Sequence, residues 1–451
     1  MSSPLYLVAG LGKTGLSIAR YLARRHQSFV VFDTRAHPYG LDEFKGEFPN
    51  VEVFLERLPE YLYDQIEEII SSPGVALDEP SIKKARDLGI SVIGDIECLA
   101  REIKAPVIAI TGTNGKSTVT VLVGEIAKAA GFSVAVAGNI GTPVLDLLDD
   151  EQKYDLWVLE LSSFQLDLTY SLQPKAVTIL NVTPDHLDRH HGMDAYVQAK
   201  QRIYHHAKTW VFNRQDRLTF PVQDNMKTND NAISVSFGLD APSGKHWGLW
   251  NVNNGEKFLS CGQLQLLSET LLKIKGQHNI LNALAACALT EAIGIDYSSM
   301  VKVLTEFGGL PHRSQWVRTL QGVEWINDSK GTNIGATISA ISGIGGTMQG
   351  KIVLIAGGLG KGADFSELRA PVADFVRSVV LIGQDAPQIE EALGGVVPAT
   401  HAASLEEAVG VAKTLAEPGD VVLLSPACAS WDMFRDFNHR GDVFTRTVDA
   451  L

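Results

Sequence analysis

Short β-branched and apolar runs recur along the chain, most of them followed within a few positions by glycine and then by an amphipathic stretch. Leu5 to Ala9, Phe29 to Phe32, the run around Glu68 to Ile70, Val107 to Ile110, Val134 to Ala137, Leu156 to Leu159, Val177 to Leu180 and Ala207 to Phe212 have the length and β-branching of buried strands. Val323 to Ile326, Ile352 to Ala356, Ser378 to Ile382 and Val421 to Leu424 continue the series. Apolar residues at helical spacing fill the gaps. From Ser117, Val119, Leu122, Val123, Ile126 and Ala130 fall on one face, and Gly131 is a stop signal. Another helix is predicted through about Arg24, another from Met193 to about His206, and an alanine-rich one opens at Gly276-Gln277-His278. From Asp216 to about Lys273 the pattern is short, alternating and turn-rich, a small β excursion with little chemistry. Strands alternating with helices predict α/β units wound on parallel sheets.

A chain of 451 residues is too long for one ordinary domain, and about three are expected. The pattern divides into a Rossmann-like N-terminal domain over 1–95, a central P-loop-type ATP-binding α/β domain over 96–309 and a C-terminal Rossmann-like domain over 310–451. Gly309-Leu310-Pro311-His312-Arg313 has the composition of a hinge between the last two. With 45% hydrophobic and 20% charged residues, the chain can bury large cores and is not a disordered sequence. A net charge of −13 argues against a nucleic-acid partner but leaves anionic small molecules open. The four cysteines, Cys98, Cys261, Cys287 and Cys428, form no C-x-x-C pair, which fits reduced thiols in the cytoplasm. The first residues lack a basic leader, and no run of about 18 apolar residues predicts a membrane span.

Thr111-Gly112-Thr113-Asn114-Gly115-Lys116-Ser117-Thr118 joins a strand to a helix through a glycine turn. Such a turn aims backbone N–H groups and a positive helix end at an anion, with Lys116 for the β- and γ-phosphates and the Ser117 hydroxyl for Mg²⁺. The strict pattern requires glycine where Ile110 stands, so this is a variant loop. Glu160, at the tip of a neighbouring strand, is placed as a metal ligand or as a solvated strand end. His186 between Asp185 and Asp188 suits a second divalent ion or simple exposure. Lys200 is a poor Mg²⁺ ligand while protonated and reads as a solvated helix face. Near the N-terminus, Gly10-Leu11-Gly12-Lys13-Thr14-Gly15 with Asp33 after the next strand fits a nicotinamide dinucleotide or another nucleotide diphosphate. The Ser71-Ser72-Pro73-Gly74 turn faces the same crevice or none. Farther on, Lys361 follows a glycine-rich strand end, and Ser425 to Asp432 reads as the opening of a helix whose N-terminus, with Ser430, would trap a carboxylate.

Taken together, Thr111 to Thr118, Glu160-Leu161-Ser162-Ser163-Phe164-Gln165-Leu166, Asn181 to Asp188, Gly309 to Arg313, Asn327-Asp328-Ser329-Lys330 and Ser425 to Ser430 followed by Phe434, Phe437, Arg440 and Gly441 resemble the Mur ligase and folylpolyglutamate synthetase superfamily. The last two runs resemble the branch of Mur ligases that adds D-glutamate to UDP-N-acetylmuramoyl-L-alanine. The resemblance implies ATP as co-substrate, two Mg²⁺ ions and a CO₂-derived carbamate on Lys200, in a monomer acting on small molecules. It implies that Gly112, Thr113, Asn114, Gly115, Lys116, Ser117, Thr118, Asn279, Asn282, Arg313, Asp328 and Lys330 surround ATP. Thr14, Asp33, Thr34, Arg35, Ser71, Gly74, Asn139, Ser162, Gln165 and His186 would lie along the UDP substrate, and Thr332, Lys361, Ser430 and Phe437 along D-glutamate. Lys116, Glu160, His186 and Lys200 would carry the catalysis, with Ser117 and Glu160 on one metal and His186 and carbamylated Lys200 on the other. On this comparison the N-terminal glycine turn serves UDP and not a nicotinamide, and the third domain closes over the cleft.

Overall fold

The computed structural model describes residues 5–148, 154–222, 231–252, 255–274, 276–346 and 348–451. Three sheets organise them. In the first, the strands run in the order Val53–Leu55, Ser28–Asp33, Leu5–Ala9, Ile66–Ser71, Ser91–Gly94, all parallel. Successive crossovers leave Leu5–Ala9 on opposite sides, so the crevice of this sheet opens at its carboxyl end, where Gly10 begins the glycine turn.

The second sheet has nine strands. Its parallel part holds Val134–Gly138, Leu156–Glu160, Val107–Thr111, Ala176–Ile179, Thr209–Asn213 and Ile233–Phe237 in that order. The strands are nearly uniform runs of buried apolar residues because helices cover both faces. Helix Lys116–Ala129 lays Val119, Leu122, Val123 and Ile126 into the core with no exposed surface. Each such side chain contributes roughly 1.5–3 kcal/mol by leaving water. Small residues Ala283, Ala285, Ala286 and Ala288 let helix Gln277–Glu291 join the same core closely. The stretch expected as a separate excursion instead continues this sheet: Ile233–Phe237 pairs in parallel with Thr209–Asn213, and Trp247–Asn251, Lys257–Cys261 and Leu264–Ser268 follow, the last two pairings antiparallel. Parts of that stretch, 223–230 and 253–254, lie outside the described residues.

The third sheet orders Gln315–Leu320, Val323–Asn327, Val421–Leu424, Ile352–Gly357, Val376–Ile382 and Ala399–His401, with only the first pair antiparallel. Chain reversal through Gln321 and Gly322, both at positive φ, makes that hairpin. Strand ends of the second and third sheets converge on one cleft, bridged by the segment from Gly309 to Arg313.

Candidate active site

The phosphate-type loop owes its path to two glycines at positive φ, Gly112 (+153°) and Gly115 (+81°). It is braced from the neighbouring strand end. Asn181 accepts from the Asn114 N–H at 2.9 Å and donates to the Asn114 carbonyl at 3.1 Å, while Thr113 donates to the Thr183 carbonyl and accepts from the Thr183 N–H. Lys116 curls over the loop, donating to the carbonyls of Gly112 (2.9 Å) and Thr113 (2.8 Å). Burial lowers the Lys116 pKa below the usual lysine value, opposed by the charges of Glu160 and Asp185. The Ser117 hydroxyl accepts from Arg313 Nη2 at 2.6 Å, so the residue that ends the hinge reaches the loop directly.

Glu160 is 2% exposed at the end of its strand. Its Oε1 accepts from Asn139 Nδ2 at 2.9 Å, and its Oε2 is buried without a partner. A buried carboxylate oxygen held in place and left unsatisfied beside a phosphate loop could serve as an oxygen ligand for a cation. Its charge reaches Lys116, Lys200, Arg313 and Lys330. Lys200 contradicts the solvated-face reading: it is 2% exposed, with Nζ donating to the Gly112 carbonyl at 2.9 Å and lying 4.5 Å from the Tyr196 ring centre. Burial, reinforced by Lys116, drives its pKa well below the ordinary lysine range. His186 stands at φ +54°, half-exposed, with its ring on Phe164 and 3.6 Å from Asp185. The Asp188 side chain lies outside the described residues. Asp185, absent from the expected site residues, is a second anion whose charge, like that of Glu160, reaches Lys116, Lys200 and Lys330. Among the described residues no group of three or more His, Cys, Asp or Glu is arranged to hold a metal, so a cation here depends on oxygens from phosphate or water as well.

Between the central and C-terminal sheets lies a cavity of about 250 Å³. Asn114, Gly115, Thr118, Asn279, Asn282, Arg313, Asp328 and Lys330 all line it. Gly112, Thr113, Lys116 and Ser117 lie beside it in the loop. One wall is apolar, with Leu180, Phe237, Ile274, Leu281 and Ala340, dimensions and chemistry suited to a flat base. Asp328 is pushed up to about 6 by burial, with Ser425 and Ser314 donating to its two oxygens. Lys330 is pulled down to about 8 by burial and by Arg313 and Lys116. Asn333, which caps helix Ile334–Gly345, also donates to Asn114 Oδ1 and Asp185 Oδ2, a second bridge between domains.

The N-terminal residues divide into framework and rim. Both Asp33 oxygens are occupied, Oδ2 by the Leu11 N–H (2.7 Å) and Arg35 Nη2, Oδ1 by the Arg35 N–H and Nε. These contacts leave Asp33 braced at the glycine turn, which weighs against the nicotinamide alternative. Ser71 is fully buried, its hydroxyl donating to the Ser72 carbonyl. Thr34 and Arg35 are exposed and Thr14 half-buried. The carbonyls of Pro73, Gly74 and Val75 accept from Arg189, tying this domain to the central one. Ser162 and Gln165 cap helix Ser163–Asp167 reciprocally.

The expected helix at Ser425 to Asp432 does not form. Ala427 sits at φ +59°, and Ala429 exchanges both backbone hydrogen bonds with Leu359, which holds the segment extended. The helix begins at Phe437, capped by Asp436. Ser430 is buried all the same, and the bridge brings it near Lys361, whose Nζ lies 5.0 Å from the Trp431 ring centre. Lys330 Nζ lies 4.0 Å from the Phe437 ring centre, and Thr332 follows on the same loop.

Three family models match in sequence: Mur ligase MurD-like, N-terminal domain over residues 5–94, Mur ligase middle domain over 110–290 and Mur ligase, glutamate ligase domain over 312–428. The UDP-N-acetylmuramoylalanine--D-glutamate ligase of Legionella pneumophila (strain Paris) is 67% identical over 451 residues, covering 100% of both chains. That of Pseudomonas aeruginosa is 49% identical over 99% of this chain and 98% of its own. Among solved structures, the UDP-N-acetylmuramate-alanine ligase of Thermotoga maritima superposes with a TM-score of 0.60 at 19% identity over 99% of each chain, which shows a shared fold. Full-length identity at this level, together with the three matched domains, means that the chain belongs to the Mur ligase family.

Proposed function

We propose that this chain is an ATP-dependent amide ligase that adds D-glutamate to UDP-N-acetylmuramoyl-L-alanine, releasing ADP and phosphate, in peptidoglycan precursor synthesis. One observation carries the reading: the charge of the half-satisfied Glu160 carboxylate reaches Lys116, Arg313 and Lys330, the last two of which line the cavity. Such a site suits transfer of a phosphoryl group, whose charge needs neutralising from several sides.

A carboxylate resists attack by an amine because its oxygen is a poor leaving group. Attack of the alanyl carboxylate oxygen on the γ-phosphorus breaks the bond to ADP and gives an acyl phosphate. The D-glutamate nitrogen then adds to the acyl carbon, loses its proton, and the tetrahedral species expels phosphate. Lys116, Arg313 and Lys330 spread the phosphoryl charge, and Asn139 fixes Glu160. Magnesium, when bound, would neutralise phosphate charge further, held by Glu160 and Ser117, with His186 and a carbamate on Lys200 for a second ion. The neutral state favoured for Lys200 by its burial is the form that adds to CO₂. Residues 1–95 would hold the UDP end, 96–309 ATP and 310–451 D-glutamate, with Lys361, Ser430, Thr332 and Phe437 around the amino acid. An acyl phosphate hydrolyses readily, so the bridges of Arg313 to Ser117 and Asn333 to Asn114 serve to shut the cleft. No helix among the described residues is long and apolar enough to cross a membrane. The setting proposed is the cytoplasm, with a monomer and no nucleic-acid partner.

The test is phosphate release with each substrate omitted in turn. Release should need all three and fall to background without D-glutamate. Amino-acid-independent hydrolysis at the full rate would leave a nucleotide switch or regulatory ATPase as the better description.

A further inference from the structure

Arg440 is 1% exposed, yet among the described residues none of its hydrogen bonds goes to a carboxylate. Its Nε donates to Ser329 Oγ (3.0 Å), Nη2 to the carbonyls of Ser329 (2.8 Å) and Cys428 (3.2 Å), and Nη1 to the Cys428 carbonyl (3.2 Å). All of these acceptors are neutral. Burial pushes the Cys428 thiol up to about 12, so it adds no charge either. A guanidinium kept in the interior without a carboxylate is costly unless its charge serves something.

Its position says what. Ser329 lies three residues before Thr332, Cys428 two residues before Ser430, and Arg440 itself sits one turn into the helix that begins at Phe437. The three segments it joins each carry one residue assigned above to the amino-acid acceptor. We propose that Arg440 is a positioning residue for that acceptor, whose charge, hydrogen-bonded only to neutral groups, biases the site toward the dicarboxylate. This rests on the reading of Lys361, Ser430 and Phe437 as the D-glutamate site. The carboxylates whose charge reaches Arg440 are Asp432 and Asp328. Asp328 is fixed by Ser425 and Ser314, whereas Asp432 is exposed and accepts from the Gln384 N–H at 2.9 Å.

The experiment compares R440M, R440K and D432N in steady-state synthesis, with KM for D-glutamate read against KM for ATP and for the UDP substrate. R440M should raise KM for D-glutamate about tenfold or more, with the other two KM values within about twofold. R440K, which keeps charge but not the fork, should recover most of that loss. D432N, whose amide oxygen can still accept from Gln384, should lower KM for D-glutamate by about twofold. Equal rises in all three KM values for R440M, or R440K as impaired as R440M, would reduce Arg440 to a structural staple. Should the Arg440 variants fail to fold, an unchanged KM for D-glutamate in D432N overturns the proposal alone. If no variant, and not the parent protein, used D-glutamate at all, the failure would lie with the proposed function instead.

Discussion

Replacing Lys200 by methionine should separate stability from synthesis. The side chain is 2% exposed, its amine makes one hydrogen bond, to the Gly112 carbonyl, and the Tyr196 ring lies at 4.5 Å. Methionine fills nearly the same volume without charge. The Gly112 carbonyl is not orphaned by the change, because Lys116 still donates to it at 2.9 Å. Burying this lysine costs either a charge kept from water or the loss of its proton, and exchanging it for an apolar side chain of similar size gains about 1–4 kcal/mol. Allowing for the lost hydrogen bond, about 1–2 kcal/mol is expected, or an upward shift of about 2–8 °C in the transition of the central domain. Synthesis should meanwhile fall on the order of 10²–10³ or more, if the carbamate on Lys200 is needed. The assay is scanning calorimetry in CO₂-free buffer over a pH series. A lysine with a depressed folded pKa binds fewer protons in the native state than unfolded, so its penalty is complete below the folded pKa and gone above the unfolded one. The advantage of K200M should therefore shrink as pH rises toward the ordinary lysine range. Added bicarbonate should then stabilise the parent and leave K200M unmoved. A lower transition temperature for K200M at neutral pH, or full synthesis by it, would refute the reasoning.

Two other outcomes follow from the same cluster. Lys330, pulled down to about 8, is about half protonated at pH 8 before nucleotide arrives, and a triphosphate should raise it again. Binding of ATP at pH 8 should thus take up roughly half a proton, read from calorimetry in buffers of different ionisation heat; proton release would contradict the assignment. Asn139→Ala removes the 2.9 Å contact that fixes Glu160, and should lower kcat about 10–100-fold and weaken the magnesium dependence, with KM for D-glutamate nearly unchanged. An unaltered magnesium titration would show that Asn139 serves elsewhere.

What the sequence made legible depended on whether a residue's task is set by its neighbours in the chain or by contacts across domains. The strand of Val107, the glycine turn and the helix after it are local patterns, and the structure reproduces them as strand Val107–Thr111 and helix Lys116–Ala129. The strand tips at Glu160 and Asp328 were found for the same reason. Local reasoning failed at Lys200, where helical spacing says nothing about which face meets the loop 88 positions earlier. It failed again at Ser425 to Asp432, because the pairing of Ala429 with Leu359 outcompetes a helix start. At Asp33 and Ser71 the sequence suggests a ligand and cannot show the local contacts, with Arg35 and with the backbone, that the structure adds. Asp185 went unchosen beside His186 since adjacent residues in a loop cannot be ranked until something shows which one faces the cations. Arg440 is the sharpest case: its place in the run after Ser430 gives it no role, and only the two carbonyls and one hydroxyl closing around it reveal a buried charge hydrogen-bonded to neutral groups. Chemistry shared between domains is written in pairs of distant residues, so the cleft of a multi-domain ligase is where a single sequence says least and side-chain geometry adds most.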